Sequence, residues 1–386
     1  MFSSRTRWDR TENRLAQAIR VRRGSGEGIL DLTESNPTRA GLKAPAALME
    51  LLSRSGSLDY APDPRGLTAA REAVAGDVSR RGVTVSADQV LLTASTSEAY
   101  ALAFKLLCDP GDAVLVPRPS YPLFDFLADL ESVRVDRYPL AFDGSWRVDL
   151  DGVRHVLSPE TRAMVVVNPN NPTGSFLDSD EALSLLDLCA ERGIAVISDE
   201  VFADYAFARD PRRVAALDGG TQALVLSFGG LSKSCGLPQL KLGWIVVTGP
   251  SDLRDEALSR LEIAADTYLS VATPVQQAAP QILARLPELQ APIAERVRGN
   301  LETLRRLCRR ELPATLLQVE GGWSAVLRVP ETLSEEERVC RLIEERGVLV
   351  HPGYFFDFGS GAHVVVSLLP ELETFRRGME IVLSEL

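Results

Sequence analysis

Between residues 88 and 247 the chain alternates short apolar runs with stretches of helical period: QVLLTAS, DAVLVPRP, AMVVVNPNNPTG, IAVISDE, LVLSFGG and LGWIVV. Near-continuous apolar runs of strand length separated by helices predict a mostly parallel, doubly wound sheet with helices on both faces, an α/β fold. Ligands of such sheets gather outside the carboxyl ends of the strands. Several of these runs end there in residues that an apolar core does not require: TASTSE, PRPSY, NPNNPTG, DEVF and GGLSKSCG.

Beyond about residue 290 the pattern changes. A helix AERVRGNLETLRRLCRREL, a strand WSAVLRV, a helix SEEERVCRLIEERG, the runs VLVHPG and HVVVSLL and a last helix TFRRGMEIVLSEL predict a smaller α+β domain. The first 45 residues, rich in Arg and then punctuated at ESNPTRAGL, read as an arm. A chain of 386 residues exceeds the usual size of one core. The division expected is an arm over 1–45 that belongs to the small domain, a large domain over 46–287 and the small domain over 288–386.

A net charge of −11 weighs against nucleic acid or an anionic membrane as partner and favours a small molecule. The five cysteines are scattered, without a CxxC pair, which fits a reducing cytoplasm better than a disulfide framework or a zinc site. The basic N-terminus lacks the apolar segment of an export signal, and no run of 18 apolar residues follows. Of 42 basic residues only four are lysine: Lys43, Lys105, Lys233 and Lys241. Where nearly every cation is Arg, each Lys poses a chemical question, although codon bias also yields such a count.

Ser95, three residues before Glu98, has the spacing of a capping box, and a helix N-terminus with spare N–H groups suits a phosphate as well as a plain helix start. Asn170 and Asn171 stand at a strand end, able to donate to a ligand oxygen or simply to form a turn. Asp199 ends an apolar strand, where a carboxylate needs a cationic ligand nitrogen or a helix to cap. Lys233 and Lys241 lie eight residues apart in a Gly- and Ser-rich loop. A partly buried lysine there can form a Schiff base, and a second can neutralise a phosphate. In this order these are the parts needed to hold pyridoxal phosphate.

NPNNPTG, then SDEVF, then GLSK with a cation eight residues on resembles the class I/II aminotransferases of the fold-type I pyridoxal-phosphate enzymes, over almost the whole chain. The resemblance implies an enzyme that moves an amino group between an amino acid and a 2-oxo acid. By it Lys233 carries pyridoxal 5′-phosphate as a Schiff base and shuttles a proton, and Asp199 pairs with the ring nitrogen. Asn171 bonds the ring oxygen O3′, Tyr121 stacks on the ring, Ser95 and Thr96 bind the phosphate, and Lys241 stands where an arginine is usual. Tyr60, in YAPDPRGL, reaches the site of a neighbouring subunit, which implies a homodimer.

The chain departs from that pattern at three places. Phe202 replaces a tyrosine that donates to O3′, Lys241 replaces a forked guanidinium, and Val365 stands where an arginine grips the substrate carboxylate. Arg39, on the arm, is the candidate replacement, and an exposed arm arginine is the plainer reading of it. The missing arginine keeps two alternatives open: a lyase, decarboxylase or cyclase acting on a modified amino acid, and a non-catalytic regulator that binds the cofactor. His351 reads as a turn or wall residue, and His155 and His363 lack metal-ligand spacing, so no metal is expected. No GxGxxG opens a helix, which disfavours a NAD enzyme.

Overall fold

The computed structural model describes residues 1–53, 55–220, 222–309 and 313–386. Among them the central sheet has eight strands: β1 (Val90–Thr93), β2 (Ala113–Arg118), β3 (Arg134–Phe142), β4 (Trp146–Val148), β5 (Thr161–Val167), β6 (Ala195–Asp199), β7 (Val225–Gly230) and β8 (Gly243–Thr248). Their order across the sheet is β1-β8-β7-β6-β5-β2-β3-β4. From β7 to β3 neighbours are parallel, whereas β8 runs antiparallel to both β7 and β1. The inverted β8 therefore begins on the rim where β1, β2, β5, β6 and β7 end, so six chain segments converge there.

Strand alternation supplies a core on each face. Val114, Val165, Ile197 and Phe228 pack on one side with Phe104 and Leu261, from the helices Thr96–Leu107 and Ser251–Asp266. Leu115, Met164, Val166 and Val196 pack on the other with Leu185 of the helix Ser179–Arg192. Six of the eight strands match the apolar runs; β3 and β4 do not, because RVDRYPLAF mixes charged and apolar positions at the edge of the sheet, where less is buried.

A second, antiparallel sheet joins Thr315–Leu316, Ser324–Val329, Ala362–Ser367 and His351–Pro352 in that order. Its Ser324 pairs with Ser367 at the end nearest the central sheet. One hydrophobic cluster joins this sheet to Leu15, Ala18, Leu32 and Ala40 of the N-terminal segment, which contains a helix, Arg14–Gly24, where only an arm is expected. That helix packs against Glu335–Arg346. The helix expected from residue 294 starts earlier, as Leu286–Cys308, with Pro287 in its first turn and Pro292 within it. Those two prolines hide its beginning from a reading by period. The last three residues of that expected helix, 310–312, lie outside the described residues. No helix among the described residues is long and apolar enough to cross a membrane.

Candidate active site

The converging rim encloses a cleft of about 1100 Å³, a volume that includes its mouth. β6 delivers Asp199 at its last residue, and the same alternation turns Glu200 away into the protein. Glu200 there accepts from Ser198 Oγ at 2.9 Å and from the Leu217 N–H at 2.8 Å. β7 ends in Gly229 and Gly230; a Cβ on Gly229 would collide with the Trp244 indole, so only glycine lets β8 pass this close. The next turn, Leu231–Ser234, presents Ser232 and Lys233 to the cleft. The Tyr205 hydroxyl fixes that turn by donating to the carbonyls of Lys233 at 2.9 Å and Ser234 at 3.0 Å.

Two groups on the cleft floor have shifted acidities. Burial lowers the pKa of Lys233, and the negative Asp199 raises it partway back. The Lys233 Nζ lies 5.2 Å from the centre of the Trp323 ring and 5.6 Å from that of Phe202. Burial raises the pKa of Asp199, opposed by a hydrogen bond from the Tyr100 hydroxyl at 2.9 Å and one from the Val201 N–H at 3.3 Å. Among the described residues Asp199 has no cation within ion-pair distance. The arrangement offers an amine whose charged form burial disfavours, in the same cleft as a buried carboxylate that forms no ion pair among the described residues.

Thr96 and Ser97, at the start of the helix Thr96–Leu107, line the cleft. Ser95 caps that helix, its Oγ accepting from the Glu98 N–H at 3.2 Å, while Glu98 reaches back to the Ala94 N–H at 2.5 Å. Asn171 lines the cleft and accepts from Ser324 Oγ at 3.4 Å. Asn170 does not: its amide donates to Pro119 O at 3.1 Å and Thr173 Oγ1 at 2.9 Å, which is turn chemistry. Tyr121 lines the cleft with 47% of its surface exposed, and Phe202 lines it while 9% exposed, edge-on to Trp323.

Other residues singled out from the sequence lie elsewhere. Lys241 is exposed in a left-handed backbone conformation (φ 51°), one residue before Leu242, which does line the cleft. Tyr60 is 81% exposed and borders a separate surface hollow with Tyr268 and Leu269. Arg39 has a side chain 76% exposed and stands 3.9 Å from Glu34, while Ser35, four residues before Arg39, lines the cleft. Val365 is buried in an apolar cluster with Leu317, Val326 and Phe356. His351 packs against Phe355 and Phe356, and His363 stacks on Phe358 at 4.2 Å, where burial lowers its pKa to about 4.

Sequence reasoning missed Tyr100, Ser232, Trp323, Ser324 and Ser367. Tyr100 carried a usable signal, since it follows Thr96 by four residues on one helix face. Trp323, Ser324 and Ser367 carried none, because only the approach of the second sheet brings them to the cleft.

The sequence profile of the family described as aminotransferase class I and II matches residues 27–371. Nicotianamine aminotransferase A of Hordeum vulgare is 30% identical over 378 residues, 92% of this chain and 80% of that protein. Tyrosine aminotransferase of Homo sapiens is 27% identical over 370 residues, again 92% and 80%. An alanine aminotransferase from Pyrococcus furiosus superposes with a TM-score of 0.87 at 25% identity, covering 100% of both chains.

Proposed function

This chain belongs to the aminotransferases of class I and II, and from that we propose that its cleft exchanges an amino group between an amino acid and a 2-oxo acid with pyridoxal 5′-phosphate as cofactor. The observation that carries this reading is a buried lysine amine and a buried carboxylate in one cleft, the carboxylate in no ion pair among the described residues. The residues fit the cofactor: an amine for its aldehyde, a carboxylate for its ring nitrogen, an aromatic face at Tyr121, and a helix start at Thr96 and Ser97 for its phosphate. When bound, the cofactor supplies an aldehyde carbon that condenses with amines and a cationic ring that draws electrons from the substrate α-carbon.

Lys233 would hold the cofactor's aldehyde carbon, and its Nζ, when free, would carry a proton to and from the substrate α-carbon. Asp199 keeps the ring nitrogen protonated, and Tyr100 fixes the carboxylate that does so. Asn171 would orient the ring oxygen, Tyr121 would cover the ring, Ser95 shapes the helix start at which Thr96 would bind the phosphate, and Lys241 would add a positive charge near Leu242. Phe202 and Trp323 exclude water from the amine.

The same proposal extends to assembly. Tyr60 and Tyr268 are exposed aromatics beside Leu269, a surface suited to a second copy of the chain in a homodimer. The five cysteines are free, as in a reducing compartment, which supports a cytoplasmic enzyme. We retain the division into a large domain over 46–287 and a small one formed by 1–45 with 288–386, supported by the cluster that joins the N-terminal segment to the second sheet.

The test is spectroscopic. Protein loaded with pyridoxal 5′-phosphate should convert to the pyridoxamine form with an amino acid and return with a 2-oxo acid. Release of an elimination or decarboxylation product without that conversion would refute transfer.

A further inference from the structure

The segment Arg118–Phe124 supplies Tyr121, Leu123 and Phe124 to the cleft. Behind it lies a second cavity of about 830 Å³, open to solvent and lined by Ser120, Tyr121, Arg137, Phe355 and Asp357 among others. Tyr121 thus stands between two hollows. Polar contacts join its segment to the loop that follows His351–Pro352. The Ser120 N–H donates to Phe356 O at 2.9 Å, and Arg118 Nε donates to Asp357 O at 3.0 Å.

The Asp357 carboxylate holds two arginines at once, Arg118 Nη2 at 3.0 Å and Arg137 Nε at 2.9 Å. Arg137 also reaches Asp125 at 2.6 Å, on the helix Phe124–Glu131 whose Phe124 and Leu127 line the cleft. One carboxylate on the second sheet's loop therefore ties β2 and β3 together and, through Arg137, grips the cleft-lining helix.

Two facts argue that this carboxylate serves position rather than stability. Asp357 has a left-handed backbone (φ 60°), where glycine would be unstrained but could not hold the arginines. The ion pairs are 34–43% exposed, and pairs that wet contribute little to folding. Both arginines stand on strands whose following or neighbouring segments line the cleft.

We propose that Asp357 is a positioning residue for the cleft wall, holding Arg118 and Arg137 so that Leu123 and Phe124 border the bound amino donor while Tyr121 stays over the ring. This rests on the reading of the cleft as the donor site. The experiment compares Asp357→Asn with the wild type as cofactor-loaded enzymes, because Asn tolerates the left-handed backbone and lacks the charge.

The donor KM should rise about tenfold with kcat changed less than about threefold. Exchange of the Ser120 amide hydrogen, bonded to Phe356 O, should quicken about tenfold, and salt should move the wild-type KM toward the variant's while leaving the variant unmoved. Asp357→Glu, which keeps the carboxylate, should restore part of the KM. An unchanged KM together with unchanged Ser120 exchange, or a lowered Tm with KM intact, would overturn the proposal. A wild type that transaminates no donor would instead refute the parent reading, and Ser120 exchange would still decide whether the contact holds the wall.

Discussion

The floor and the wall of this cleft are built in opposite ways. The floor comes from strand ends and the turns directly after them, so the hydrogen-bond ladders place it: Asp199 pairs in register with Val167 on one side and Phe228 on the other. The wall comes from an irregular segment at Tyr121, from Ser324 and Ser367 of another sheet with Trp323 just before it, and from Ser35 near the N-terminus. Its geometry depends on contacts between distant elements. The difference implies a floor that keeps reacting groups in place and a wall whose spacing responds to substitution and salt. Substitutions on the floor should therefore act on the chemical step, and those on the wall should act on binding.

Lys233→Ala should have the largest effect, a loss of turnover of at least about 10³-fold, since both the amine and the proton carrier disappear. Borohydride reduction of the loaded wild type should place the pyridoxyl group on Lys233, and finding it on Lys43 or Lys105 would break the assignment of the floor. Asp199→Asn should follow, with cofactor retained and turnover lower by on the order of 10²-fold.

The same variant has a consequence for pH. Burial holds the Lys233 amine below its ordinary pKa of 10.5, and the Asp199 charge raises it partway back. Removing that charge disfavours the ammonium, so the pKa falls further. Aldehyde labelling of Lys233 in the cofactor-free protein should reach half-maximum at lower pH in Asp199→Asn than in the wild type. A midpoint that stays or rises would show that the two groups do not interact.

The contrast between floor and wall also explains what the sequence reveals. Asp199, Lys233 and Asn171 are legible because each interrupts an apolar run where a parallel sheet ends, so local pattern and site coincide. The six apolar strands are legible for the same reason, whereas β4 at the edge and β3 beside it escape because strands there need not be apolar throughout. Trp323 is read as the start of a strand, and nothing nearby tells that the second sheet turns it toward Lys233. Lys241 is singled out by the scarcity of lysine and its spacing from Lys233, and Tyr60 by resemblance, and both have exposed side chains outside the cleft lining. Residue type and spacing do not encode which way a loop side chain faces.

Tyr100 joins the two regions and sharpens the comparison at a smaller scale. Its hydroxyl bonds Asp199 on the floor, while its ring packs edge-on against Phe124 of the wall at 5.5 Å and against Phe228 at 4.9 Å. Tyr100→Phe keeps those ring contacts and deletes one hydrogen bond to a charged acceptor, worth about 1.5–3 kcal/mol. Turnover should fall about tenfold while the donor KM holds. That hydrogen bond lowers the Asp199 pKa, so its loss raises it, and the acid limb of the activity profile should move to higher pH. A KM effect in place of a kcat effect would mean that Tyr100 belongs to the wall.

Arg39 should give the smallest effect. The buried position of Val365 leaves the strand Ala362–Ser367 without an arginine, so a donor carboxylate needs another partner, and the side chain nearest in sequence to the lining Ser35 that could fork onto it is Arg39. In the structure it is 76% exposed and 3.9 Å from Glu34, a pairing worth at most about 1 kcal/mol. If it stays there during turnover, Arg39→Ala should change the donor KM less than about twofold, because an exposed charge outside the cleft is screened by solvent and salt. If the segment swings inward once a donor is bound, the same substitution removes two parallel charge-assisted bonds, and KM should climb by about a hundredfold with kcat nearly unchanged. Measuring KM for an amino acid and for the matching amine without a carboxylate separates the cases: only the amino acid should suffer if Arg39 closes. That result would show that the wall includes the arm segment and that it moves through a distance the floor does not.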